Sequence, residues 1–223
     1  MRPPRLKIPH RSYGGADAGA IYSGREWTYR GALIEGNTFE NINSYLCQAG
    51  GAKNCVGQPP RALHADDGIS GWTVVNNLFR NVTQVHNGLS NRDMTMMHNR
   101  FEIVLSAGQP KTNLDADHRS AIHLDVFGPP PYPADSDIDV LRGFLARVPY
   151  NCTDCAWSKY PHLANILDDE YWLPKYWRLE HNSFCDITYH GVAEKLMDGA
   201  YDHETFGVER NNRNSTACTN GGG

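Results

Sequence analysis

No run of about 18 apolar residues occurs in this chain, so no segment reads as a membrane-spanning helix. There is no basic block either. The 21 Lys and Arg are outnumbered by 25 Asp and Glu, and a net charge of −4 argues against a nucleic-acid partner. The opening residues, Met1-Arg2-Pro3-Pro4-Arg5-Leu6-Lys7, lack the apolar stretch of a secretory leader. Cysteine is sparse. Six in 223 residues (Cys47, Cys55, Cys152, Cys155, Cys185, Cys218) are too few for a disulfide-dense mini-domain, although their even number suits an oxidising compartment. Cys152-Thr-Asp-Cys155 has the spacing of half a metal site, but no second pair or His cluster accompanies it. A disulfide or free thiols is the better reading, and neither metal nor cofactor is expected. Three Asn-X-Ser/Thr sequons, at Asn81, Asn151 and Asn214, point the same way as the cysteines. The full-length protein is therefore expected to be extracellular or to enter the secretory pathway.

What the chain does have is a phrase written four times: Asn, any residue, Phe, two residues, then Ile or Val. The copies are Asn37-Thr-Phe39 to Ile42, Asn77-Leu-Phe79 to Val82, Asn99-Arg-Phe101 to Val104, and Asn182-Ser-Phe184 to Ile187. Two lie 22 residues apart (99 − 77). Trp72, Val74, Val75 and Val82 map onto Met94, Met96, Met97 and Val104 at that period. These segments alternate in apolar character and lack helical periodicity, so they read as short strands. One short parallel strand set per coil makes a right-handed parallel β-helix, all-β in class. Each Phe then stacks inward on the next, and each Asn sits in a turn where its amide can satisfy backbone groups.

Counting back thirteen residues from Asn77 and Asn99 reaches His64 and His86. Ala20-Ile-Tyr22-Ser-Gly24 and Ala121-Ile-His123-Leu-Asp125 look like the strings around them, the first fitting with a two-residue insertion. Strand alternation would turn Tyr22, His64, His86 and His123 outward in one column, with Gly24, Asp66, Gly88 and Asp125 in the next. Coils are expected over 16–43, 58–83, 84–106, and 119–126 joined to 177–191. A terminal extension (1–14), a β-helix domain (15–191) and a tail (192–223) follow. Insertions fall at 44–61, which holds Cys47 and Cys55, and at 127–176. The second has apolar residues at helical spacing over 138–147, and 160–167 suits a second short helix.

Asp66 and Asp125, two strand spacings apart, would have backbones roughly 9–10 Å apart. Inverting glycosidases hold an acid and a base about 6.5–9.5 Å apart. Carboxylates and imidazoles along an open sheet face could protonate and deprotonate a bound polysaccharide. Asp67 and Asp17 border the same strings. Arg25, Arg92 and Asp93 read as subsite contacts or as turn ion pairs. Trp157, Tyr160, Trp172 and Trp177 read as sugar-stacking aromatics or as a satellite core. For every one of these residues the plain alternative is structural.

The strings Asp17-Ala-Gly-Ala-Ile-Tyr-Ser-Gly-Arg-Glu-Trp-Thr28, Asp66-Asp67-Gly-Ile-Ser-Gly-Trp72, Asn91-Arg-Asp93, Ala121-Ile-His-Leu-Asp125 and Trp157-Ser-Lys-Tyr-Pro-His-Leu163 resemble the glycoside hydrolase family 141-like group of carbohydrate-active β-helix proteins. That resemblance implies a pectate-lyase-like fold and activity on plant or algal glycans. It also implies an acidic catalytic set of Asp17 with Asp66 or Asp67. Relatives of that group carry more coils before the first string, and this chain, which begins almost on it, reads as a truncated form or fragment. Tyr22, His64, His86, His123, Arg25, Arg92 and Trp157 are then the expected substrate contacts. The chain is expected to act as a monomer on a polysaccharide or oligosaccharide. Two other readings stand beside the hydrolase. One is a non-catalytic carbohydrate-binding β-helix. The other is a lyase or epimerase, disfavoured because the outward columns hold no Lys.

Overall fold

A computed structural model describes residues 7–9, 19–42, 61–82, 84–102, 122–125, 135–185, 192–194 and 207–215. Asp17 and residues 44–60 of the expected insertion, with Cys47 and Cys55, lie outside them, and Arg61 at its end belongs to a strand. After β1 (Lys7–Pro9), the strands come in threes. The first coil is β2 (Gly19–Gly24), β3 (Ala32–Glu35) and β4 (Thr38–Glu40); the second is β5 (Arg61–Asp66), β6 (Trp72–Val75) and β7 (Leu78–Arg80). The third is β8 (Gln84–Leu89), β9 (Thr95–Met97) and β10 (Arg100–Glu102); the fourth is β11 (Ile122–Asp125), β12 (Trp177–Glu180) and β13 (Ser183–Cys185). A fifth follows: β14 (Val192–Glu194), β15 (Gly207–Arg210) and β16 (Arg213–Ser215). Every third strand pairs, always in parallel, giving three sheets: β1-β4-β7-β10-β13-β16, β2-β5-β8-β11-β14 and β3-β6-β9-β12-β15. The chain is a parallel β-helix.

The repeated phrase accounts for this stacking. Phe39, Phe79, Phe101 and Phe184 are level in the first sheet and buried. Their rings stack nearly parallel at 4.8, 5.3 and 4.7 Å, close to the strand spacing. The asparagines form a ladder beside them. The backbone N–H groups of Asn37, Asn77, Asn99 and Asn182 each donate to the next asparagine's Oδ1, at 2.9, 3.0, 2.9 and 2.9 Å. The amides of Asn77, Asn99, Asn182 and Asn212 donate back to the carbonyls of Ile34, Val74, Met96 and Leu179. Backbone groups that a tight corner leaves unpaired are thereby satisfied. The left-handed residue is one position earlier than the ladder asparagine: Gly36, Asn76, His98, His181 and Asn211 all have positive φ.

The coil pattern continues past residue 191, where the sequence reading placed a tail. Asn212 is the fifth ladder member, but Asn214 is level with Phe184 and breaks the phrase. At the other end, β1 pairs with β4, so part of the expected 1–14 extension is a rung of the first sheet.

The 127–176 insertion carries α1 (Asp135–Leu145), α2 (Pro161–Ala164) and a 3₁₀ turn at Ile166–Asp168, near where apolar spacing placed two helices. It builds its own small core from Leu141, Leu145, Leu163, Ile166 and Tyr171 around Trp27, which projects from the first coil's turn. Trp157, half-buried, packs against this core with Tyr160. Cys152 and Cys155 form a disulfide.

Arg92 anchors the insertion and does not contact substrate. Fully buried, its guanidinium donates to the carbonyls of Asp169 and Glu170 at 2.8 and 3.1 Å, pairs with the Asp169 carboxylate, and lies over the Tyr176 ring. Lys175 Nζ completes the cluster at 2.8 Å from Asp169 and 2.7 Å from Glu170. Removing one partner of a buried ion pair leaves the other uncompensated. Arg92→Met is therefore expected to cost about 3 kcal/mol in denaturant unfolding and to open 135–176 to proteolysis.

Candidate functional site

The β2–β5 edge of the second sheet brings together three of the residues singled out by sequence. Tyr22 is level with His64, and Gly24 with Asp66. The Tyr22 hydroxyl donates to Asp66 Oδ2 at 2.9 Å, and its ring stands edge-on to His64 with centroids 5.0 Å apart. His64 Nε2 lies 3.6 Å from Asp66 Oδ1. Only Tyr22 and Asp66 reach the surface. The Tyr22 ring is 54% exposed, whereas His64 is 1% exposed and lies beneath it. His64 therefore supports the site from below and cannot act as an open substrate contact.

Two buried polar side chains below His64 have no counterpart in the sequence reading. Arg61 NH1 is 3.0 Å from both His64 ring nitrogens, and Arg61 Nε donates to Gln84 Oε1 at 3.1 Å. Both lie at the start of a strand, where a polar residue reads as the end of a loop. Nothing in their spacing marks them as site residues.

His86 is not in the outward column. It is level with Leu63 and Ile122, fully buried, 3.1 Å from Asn91 Oδ1 and edge-on to Trp177. The cause is one residue of slippage between coils. β5 and β8 pair at an offset of 23 (87 − 64), but β6 and β9 pair at 22 (95 − 73). The turn after β5 bends through three left-handed residues, Asp67, Gly68 and Gly71, and the turn after β8 through two, Ser90 and Asp93. Counting back thirteen from Asn99 therefore goes one residue too far, and the column runs Tyr22, His64, Asn87, His123. Coil one needs the opposite adjustment. Its offset falls from 42 (64 − 22) to 40 (77 − 37), the two-residue insertion the sequence required, and that turn carries Trp27.

Asp125 is level with Leu89, the residue after Gly88, which is level with Ala65. Continuing that register by one residue sets Asp66 in the same column, two strands from Asp125. Leu89 stands at the intervening rung in place of the expected Gly88.

Asp66 and Asp67 have opposite electrostatics. The hydrogen bond from His64, and then that from Tyr22, hold the Asp66 carboxyl down at about 2 against burial. Asp67 is pushed above the ordinary carboxylate range by burial, and then by the Asp66 charge beside it. The ion pair with Arg25, at 2.6 Å, only partly offsets this. Arg25 is thus a turn ion-pair partner, though a well exposed one. Divergent environments on neighbouring carboxyls separate a base from an acid. Yet carboxyls in direct contact are closer than the roughly 5 Å or more that a glycosidic bond between them requires. Asp66 and Asp67 are therefore one coupled pair and not two carboxyls flanking a bond.

Comparison with known proteins decides nothing further. No protein-family model, curated protein or solved structure matches the chain.

A pH dependence follows from the two shifts. Asp66 has a folded value below its ordinary 3.8, so its stabilising contribution is present above 3.8 and lost as pH falls through about 2. Asp67 is raised, so its contribution is present at low pH and lost as pH rises through its folded value. Denaturant unfolding of the wild type and Asp66→Asn is expected to show a stability gap that closes as the solution is acidified from about pH 5 to pH 2.

Proposed function

We propose that the chain is a carbohydrate-active β-helix protein, a glycoside hydrolase that cleaves a plant or algal polysaccharide with paired carboxylates. The observation that carries this reading is Asp66. It is a surface carboxylate held ionised by Tyr22 and His64 on a solenoid sheet. Asp66 acts as the base that activates water. Asp125, two rungs along the same column, is the proton donor across the bound chain; two rungs set the backbones roughly 9–10 Å apart, next to the range that inverting hydrolysis uses. Asp67, beside it, is coupled to its charge. The exposed Tyr22 ring offers a flat apolar face to a sugar. The resemblance of the Asp66-Asp67 string to the family 141-like group supports the same choice of carboxylate. The Cys152–Cys155 disulfide supports an oxidising compartment for the whole protein.

A second reading, a carbohydrate-binding β-helix without catalysis, is favoured by Leu89 at the rung between the two aspartates. Incubation with a panel of plant and algal glycans distinguishes the two. Release of new reducing ends is the expected result; binding without release favours the second reading.

A further inference from the structure

Asp66, Asp67, Gly68 and Ile69 close a turn of their own. The Ile69 N–H donates to the Asp66 carbonyl at 3.1 Å, and both central residues are left-handed, with φ of 39° at Asp67 and 80° at Gly68. That is the pattern of a type I′ turn, for which Asp-Gly is a favoured pair. The glycine is required for a second reason. A Cβ on Gly68 would sink into the Trp27 indole, and one on Gly71 into the Arg30 side chain. Two side chains from the first coil's turn are therefore seated on two glycines of the second coil's turn. Arg30 secures the seat: it donates to the Trp27 carbonyl through NH1, and through NH2 to Asp93 Oδ2 at 2.8 Å. On its other side the Trp27 ring meets Tyr171 of the insertion edge-on, with centroids 5.9 Å apart and both residues 1% exposed. One buried indole thus touches the turn that carries Asp67 and the core of the 127–176 insertion.

The geometry points to Trp27 as the positioning residue of the Asp66-Asp67 turn, through which the docked insertion fixes where the Asp67 carboxyl stands. Gly68 has no side chain to take up slack, so a smaller residue at 27 leaves a gap beneath the turn that the turn or water can enter. The charged groups facing Asp67 are Asp66 beside it and Arg25, which reaches its carboxylate at 2.6 Å from the same first-coil turn that carries Trp27. The Asp66 carboxyl is held mainly from elsewhere, by His64 on β5 and Tyr22 on β2. Loosening Trp27 should therefore act on Asp67 and largely spare Asp66. The catalytic consequence rests on the hydrolase reading: the carboxyl pair is correctly set only while the insertion is docked.

Carboxyl-carbon NMR of the intact chain follows both midpoints and needs no substrate. The wild type is expected to show Asp67 above its ordinary 3.8 and Asp66 at about 2. Trp27→Leu, which admits water beneath Gly68, should bring the Asp67 midpoint down towards 3.8 by relieving its desolvation, while Asp66 stays well below that value. Trp27→Phe, which keeps an aromatic plate, should restore most of the Asp67 elevation. Tyr171→Leu changes only the insertion side and should lower the Asp67 midpoint in the same direction by less; it serves if Trp27→Leu does not fold. An Asp67 midpoint indifferent to either leucine variant would overturn the proposal. So would equal movement of Asp66 and Asp67 in folded Trp27→Leu, the mark of general loosening. If the midpoints behave as expected while no glycan is cleaved, the positioning role stands and the hydrolase reading falls.

Discussion

Asp66→Asn is expected to lower kcat/KM on the cleaved glycan by roughly 10²- to 10⁴-fold, the usual contribution of a positioned acid or base. The amide oxygen can still accept from the Tyr22 hydroxyl, so the local contact is kept and oligosaccharide binding should survive. Loss of turnover with retained binding separates a catalytic carboxylate from a recognition contact. Comparable loss of both would place Asp66 among binding residues only. Asp67→Asn should do less. Its carboxyl is the member of the pair that holds a proton more readily, and its partner is the exposed Arg25.

The largest effect on stability is expected at the middle of the asparagine ladder. Asn99→Leu leaves the Asn77 backbone N–H and the Val74 carbonyl without their partners in a buried corner. Each orphaned group costs about 1–3 kcal/mol, so the variant should lose roughly 2–6 kcal/mol in denaturant unfolding. Asn37→Leu, at the ladder's first rung, should lose less. No backbone donor among the described ladder contacts depends on the Asn37 side chain, which gives its own amide to Asn77 Oδ1 at 3.2 Å. Equal losses at both positions would show that the ladder is not what fixes the corner.

The fold was legible because its determinants repeat. Phe39, Phe79, Phe101 and Phe184 stack as their spacing requires, and the asparagine two residues earlier satisfies the corner in each coil. The fifth coil was missed because Asn214 stands where the phrase has Phe. The site was less legible because it depends on the turns, which do not repeat. A single residue, the second left-handed position at Asp67-Gly68, shifts β5 against β8 and carries His86 from the outer face to the interior. Position alone also could not separate Tyr22, which reaches solvent, from His64, which is level with it and buried. Arg92 was ambiguous for another reason. Its partners come from Asp169 and Glu170, residues 77 and 78 positions away in an insertion that no repeat locates.

The pairing of Asp66 with Asp125 is tested most directly by the stereochemistry of the sugar released, followed by proton NMR during hydrolysis. Two carboxylates two rungs apart leave room for a water, and inversion at the anomeric carbon is the expected result. A product that retains its configuration would require carboxyls only about 5 Å apart, and would contradict the pair. Absence of any new reducing end from the whole glycan panel would contradict catalysis altogether.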